Sequence, residues 1–314
     1  MYYSIKGFFM SKILVTGGLG FIGSHFVNYV MEKGIHDVIL VDNMTYASNI
    51  DNVKILPKFL KKNIKDLTFE DLEDCDYIVN FAAETHVDNS IKDGLPFLES
   101  NIIGVYNLVE IAKKNTNLKK FIQISTDEVY GDLYDRLILN SSAFETANLN
   151  PSSYYSASKA SAEMIVMAAS RTFGLPYLIT RTCNNYGENQ NKEKFLPTVI
   201  NSIKNDLEIP VYGDGSQVRE WIHVIDNVNA IYNLMMSNDV NETYNIGSGE
   251  RYSNLGVIKI IGEILSKDIK YKFVEDRLGH DKRYSIHSMK YENKFGKIPT
   301  IKLKEWLKQI LEKF

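Results

Sequence analysis

Cysteine is scarce in this 314-residue chain. Cys75 and Cys183 alone give no disulfide framework, and with no Cys-x-x-Cys and only scattered histidines no metal site is expected. Positive charge is not in excess: 36 Lys+Arg against 39 Asp+Glu leave a formal net charge of −3. That balance argues against a nucleic-acid partner. No apolar run is long enough to span a bilayer, so no membrane partner is expected either. The first ten residues, MYYSIKGFFM, lack the apolar stretch of a signal peptide. Residues 1–9 read as an extension with no role in the fold, with Met1 and Met10 both open as the natural start. The cysteines read as small core residues in a reducing cytoplasm. Internal repeats, low-complexity tracts and flexible linkers are also missing.

The composition that remains is 44% hydrophobic and 24% charged, which is ordinary for a globular protein and too apolar for disorder. Short apolar runs at 12–16 (KILVT), 38–41 (VILV), 77–81 (YIVNF), 121–125 (FIQIS) and 176–181 (PYLITR) read as buried parallel strands. Helical spacing occupies 21–32, 101–114 and 153–172. This alternation predicts an α/β fold, a doubly wound parallel sheet of Rossmann type over residues 10–183. Beyond 183 the segments shorten and turn signals appear at 212–215 and 247–249. Residues 184–314 read as a smaller, mainly substrate-binding region, with some segments returning to the first. A ligand would lie between the two.

Three motifs carry chemistry. Gly17, Gly20 and Gly23 follow the first strand and open a helix together with Phe21 and Ile22. There a tight turn, a close backbone approach and a helix N-terminus suit a pyrophosphate. Asp42, at the end of the second strand, stands where a carboxylate would accept the adenosine ribose hydroxyls and repel a 2′-phosphate, which favours NAD over NADP. Asn43 and Thr45 follow it. Tyr155 and Lys159 lie four apart on one helix face. Positive charge from Lys159 and from the nicotinamide ring would lower the Tyr155 pKa and make it a base. Ser125-Thr126-Asp127-Glu128 ends the fourth strand, at the crevice of such a sheet. Two adjacent carboxylates there can be pushed apart in pKa into an acid and a base.

With these residues in view the chain resembles the extended short-chain dehydrogenase/reductase family. Within it, the likeness is to the nucleotide-sugar 4,6-dehydratases, most closely those acting on dTDP-glucose. The segments are TGGLGFIGS (16–24), FAAETHVDNSI (81–91), STDEVYG (125–131), YSASKAS (155–161), NNYG (184–187), QVREW (217–221) and DRLGHDKRY (276–284). The resemblance implies NAD as cofactor, held also by Asn63, Ile64 and Ala82. It implies that Tyr155, tuned by Lys159, takes the proton from the sugar 4-hydroxyl, with Thr126 bonded to that oxygen. Glu128 would remove the C5 proton and Asp127 would protonate the departing 6-hydroxyl. The nucleotide-sugar substrate would meet Glu84, Thr85, Asn184, Lys194, Asn254, His280 and Tyr284, and its diphosphate would meet Arg219 and Arg277. A homodimer through the helices at 101–114 and 155–172 is implied as well. Asn89 stands where the family often has Arg, Asn63-Ile64 where Asp-Ile is usual, and Leu278 where Pro is usual; the tail after Phe295 is short. These departures bear on base and sugar specificity. UDP- or CDP-sugar dehydratases and a sugar-nucleotide 4-epimerase of the same fold are the alternatives.

Overall fold

The computed structural model describes residues 11–134 and 142–313. The extension at 1–9 and both candidate starts, Met1 and Met10, lie outside the described residues. Strands are β1 (Ser11–Thr16), β2 (His36–Asp42), β3 (Lys58–Lys61), β4 (Tyr77–Asn80), β5 (Lys120–Thr126), β6 (Tyr177–Thr182), β7 (Asn184–Tyr186), β8 (Ile209–Tyr212), β9 (Val218–His223), β10 (Glu242–Ile246), β11 (Arg251–Ser253) and β12 (Tyr271–Val274). Helices are α1 (Phe21–Lys33), α2 (Val87–Lys92), α3 (Leu95–Leu98), a π-helical stretch (Glu99–Gly104), α4 (Val105–Ala112), α5 (Tyr154–Phe173), α6 (Phe195–Lys204), α7 (Val224–Met236), α8 (Asn254–Leu265), α9 (Met289–Phe295) and α10 (Leu303–Leu311).

Seven strands form one parallel sheet in the order β10-β6-β5-β4-β1-β2-β3. Its central strands are apolar on both faces because helices cover both. Alternate residues of one strand enter opposite cores, as the period of two requires. Ile13, Val15, Val38, Leu40 and Val79 pack on one side with Phe26 of α1 and Val228 of α7. Leu14, Ile39, Val41, Ile78 and Phe121 pack on the other with Leu108 of α4 and Val166 of α5. A third core joins Leu196, Val199, Trp221, Val257, Ile261, Trp306 and Leu307 from the C-terminal third. That third also returns to the large sheet: β10 pairs with β6, and α7 packs on α1.

The sequence reading passed over β3, whose KFLK carries only a half-buried face between exposed lysines at the sheet edge. The helix expected at 101–114 begins instead as a π-helical stretch, and α4 proper covers eight residues. Asn101 within that stretch is buried. It accepts the Glu84 N–H at 2.9 Å and donates to the Glu84 carbonyl at 3.0 Å and to the Ser158 hydroxyl at 2.8 Å. The widened turn thus ties the loop after β4 to α5.

Candidate active site

A cavity of about 460 Å³ runs along the C-terminal ends of the parallel strands, where a sheet of this kind binds its ligands. Gly17 turns the chain with φ +67° and lies against the segment just after β4: a Cβ there would stand 2.5 Å from the Ala82 nitrogen. At Gly23 a Cβ would stand 2.2 Å from the Gly17 carbonyl oxygen. Helix α1 opens at Gly20 with no side-chain cap and no acid in its first turn. Its first N–H groups therefore face the cavity without an intrahelical acceptor, which is the donor set a pyrophosphate needs. Phe21, Ile22, Asn43, Thr45, Asn63, Ile64 and Ala82 line the same space.

Asp42 also lines it, but its carboxylate is partly committed. It accepts the Leu19 N–H at 3.0 Å, the Met44 N–H at 2.7 Å and the Ser48 hydroxyl at 2.7 Å. Of roughly four lone-pair sites, three hold the loop in shape, which leaves one for the ribose hydroxyls expected from the sequence.

Helix α5 starts where Ser153 caps it, its hydroxyl accepting the Ser156 N–H at 3.1 Å in a reciprocal capping box. That start places Tyr155 in the first turn and Lys159 in the next, both buried in the cleft beside Thr126, Asp127 and Glu128. Thr126 faces the Tyr155 phenol and favours its ionised form. The lowered Tyr155 pKa expected from the sequence is absent in the protein alone. Burial first, then Glu128 and Asp127, push the phenol well above its ordinary value. Lys159 gives its ammonium to the Ile124 carbonyl at 2.6 Å, and burial draws its pKa down to about 8.

The acidic pair is divided by its surroundings. Asp127 is almost wholly buried, and its Oδ2 has no hydrogen-bond partner. Burial, Glu128 and Glu220 hold its carboxyl well above the carboxylate range, against Arg219. Glu128 is also raised by burial, but Arg277, Arg219 and Lys194 all favour its ionised form. One carboxyl keeps a proton more readily than its neighbour, which is the pattern of an acid beside a base.

Glu84, Thr85, Asn184 and Lys194 line the cleft, with the Lys194 ammonium 3.2 Å from the Thr85 carbonyl. Arg219, Asn254, Arg277, His280 and Tyr284 do not line the main cavity. They lie beside it, and Arg219, Arg277 and Tyr284 act on Glu128, which lines it. The reason is local: Arg219 is drawn back by the Val218 and Asp281 carbonyls, at 2.9 and 2.8 Å, and stacks over Tyr284 at 4.2 Å. Arg277 faces Asp88 at 3.6 Å, and its buried Nε has no partner. His280 contacts Asp276 at 2.6 Å, Gln217 bonds Asp276 at 3.3 Å, and Asn254 meets Gln217 at 3.5 Å. Pro96, Glu99, Ser100, Cys183 and Gln190 also line the cavity. Sequence reasoning missed them, and only the position of Cys183 just beyond a predicted strand end could have marked one.

Residues 13–247 match the profile of the NAD dependent epimerase/dehydratase family. The low-salt glycan biosynthesis protein Agl12 of Haloferax volcanii is 43% identical over 88% of this chain and 90% of its own. A dTDP-glucose 4,6-dehydratase of Haemophilus influenzae is 40% identical over 96% and 97%. DesIV, a dTDP-glucose 4,6-dehydratase of Streptomyces venezuelae crystallised with NAD and dTDP, superposes with a TM-score of 0.89 at 37% identity, covering 96% of each chain. With the glycine turn, the Tyr155–Lys159 pair and a sheet of this order, the chain belongs to the NAD-dependent epimerase/dehydratase family.

Proposed function

We propose that this protein is an NAD-dependent lyase that removes water from dTDP-glucose to give the 4-keto-6-deoxy sugar nucleotide. The observation that carries the reading is the unequal acid pair Asp127 and Glu128 at the end of β5, beside Tyr155. An epimerase needs chemistry at C4 alone and has no use for a second acid and base.

The chemistry NAD supplies when bound is reversible hydride acceptance, from C4 of the sugar and back at C6. Gly17, Gly20 and the first turn of α1 would hold its pyrophosphate, and the remaining lone pair of Asp42 a ribose hydroxyl. Tyr155 takes the 4-hydroxyl proton, and Thr126 bonds the same oxygen. Because burial raises the Tyr155 pKa, the base form depends on positive charge close to the ring, to which Lys159 contributes. The 4-ketone acidifies the C5 hydrogen, Glu128 removes it as a proton, Asp127 gives its proton to the leaving 6-hydroxyl, and Glu128 returns the proton to C5 as C6 is reduced. Arg219 and Arg277 suit the diphosphate, since a guanidinium fork matches phosphate oxygens.

Mass spectrometry after incubation with NAD and dTDP-glucose, UDP-glucose, CDP-glucose or UDP-N-acetylglucosamine tests this. Loss of one water from dTDP-glucose without net NADH is the expected result. Loss from another member would correct the base, and unchanged mass with inverted C4 would make the protein an epimerase.

The protein acts as a homodimer in the cytoplasm on this reading. Leu98, Ile103 and Tyr106 before and on α4, and Met164 on α5, are exposed apolar side chains of the kind that mark an association face. Both cysteines are buried and unpaired, which suits a reducing compartment. Among the described residues no helix is long and apolar enough to cross a membrane. Light scattering that gave a monomer at micromolar concentration would overturn the dimer.

A further inference from the structure

Behind the catalytic residues lies a second charge system that the scheme above does not use. Arg181 on β6 and Glu163 on α5 have side chains 3% and 0% exposed. The guanidinium meets the carboxylate through Nε, 3.1 Å from each oxygen, and through Nη2, 2.6 Å from Oε2. Its Nη1 donates to the Tyr130 hydroxyl at 2.7 Å and the Glu145 carbonyl at 3.0 Å. The Ser125 hydroxyl donates to Glu163, and Tyr130 donates to Asn245 of β10 at 2.7 Å.

Placement gives this network its meaning. Ser125 and Tyr130 flank the turn Thr126–Glu128 on both sides. Glu163 lies one helical turn beyond Lys159, on the same face as Tyr155 and Lys159. A pair buried so deeply is weak evidence for stability, because desolvation can outweigh its attraction and apolar residues of similar volume often serve as well. Its partners point to another role. We propose that Glu163 is a positioning residue: it sets a carboxylate one helical turn from Lys159 and, through Ser125 and through Arg181 to Tyr130, keeps the Thr126–Glu128 turn in one fixed relation to Tyr155. The geometry stands alone; the reaction served is the dehydration proposed above.

The charged and titratable groups around Lys159 are Tyr155 and Glu163 on its own helix, Asp127 and Glu128 at the end of β5, Arg181 on β6, and Glu84 and Lys194 across the cleft. Burial lowers the lysine, and Glu163 opposes it.

The test reads Lys159 directly, through its 13Cε resonance in lysine-labelled, NAD-loaded protein without sugar, assigned by its loss in Lys159→Met. Glu163→Gln alone leaves Arg181 unpaired and can fail to fold, so the decisive variant is Glu163→Gln with Arg181→Met, which leaves no orphan ion. Its Lys159 midpoint is expected about one pH unit below that of the unsubstituted protein, with the alkaline limb of kcat moving the same way. A folded variant with midpoint and limb unchanged would overturn the proposal. Glu163→Asp keeps the charge but shortens the reach. It should restore the midpoint while kcat stays about tenfold low; midpoint and kcat both unchanged would count against the proposal. If no sugar nucleotide reacts, the dehydratase reading falls, while the Lys159 titration still decides this one.

Discussion

On the side of the cleft formed by β1, β2 and α1, the contacts proposed for the ligand come from main chain: the Gly17 turn, the open end of α1 and a carboxylate held by two backbone N–H groups. On the opposite side they are offered by the side chains of Arg219, Arg277, His280 and Tyr284. Arg219 comes from β9 and the others from the irregular segment at 276–284, and each is engaged by a neighbouring group. The first surface is fixed by the course of the backbone and cannot be altered by one rotamer. The second can change its specificity one side chain at a time. A family that keeps one cofactor and varies its sugar nucleotide is served by that division.

The largest effect should arise where the two sides meet. Tyr155→Phe is expected to lower kcat by roughly 10²–10⁴-fold, the range for loss of a general base, with NAD content and KM near those of the unsubstituted protein. Loss of bound NAD as well would show that the two sides are not separable. Gly23→Ala forces a methyl group to 2.2 Å from the Gly17 carbonyl oxygen. It should cost roughly 1–3 kcal/mol of stability and release NAD, read by calorimetry and by the nucleotide content of the purified protein. Arg219→Met should do the reverse. KM for the sugar nucleotide is expected to rise about 10- to 100-fold, as for a lost hydrogen bond to a charged group, with NAD retained.

The smallest effect is in acid. Burial, then Arg277, lower the His280 pKa to about 4, against 6.5 for an ordinary histidine. The folded value is depressed, so the stability it contributes is complete above pH 6.5 and is lost as pH falls through about 4. The melting temperature should therefore decline over that window. His280→Gln should flatten its share of the decline in a scanning-fluorimetry series, without changing NAD content.

The same contrast explains what could be read from the chain. The glycine spacing, Asp42 and the Tyr155–Lys159 interval are local patterns, each set by a turn or a helical period. The π-helical stretch at Glu99–Gly104 adds residues to a turn without changing the residue types, so it looks like an ordinary helix. The edge strand Lys58–Lys61 has too little buried surface to show a pattern. The network of Glu163 and Arg181 is invisible for another reason. Glu163 on a helix reads as a solvated residue until the strand carrying Arg181 is set against it. The arginines of the far wall are legible through motif resemblance alone; Arg219 is withdrawn from the main cavity by two carbonyls and Arg277 faces Asp88, partners that no local pattern encodes.

Strand β10 has a consequence for how the protein is made. The sheet is seven-stranded only after Glu242–Ile246 has joined β6. Until the ribosome has delivered that segment, the nascent chain carries β6 as an open parallel edge, its N–H and C=O groups on the side away from β5 unpaired, which is a template for pairing with other chains. Synthesis runs at about 5–20 residues per second, so this exposure lasts for seconds.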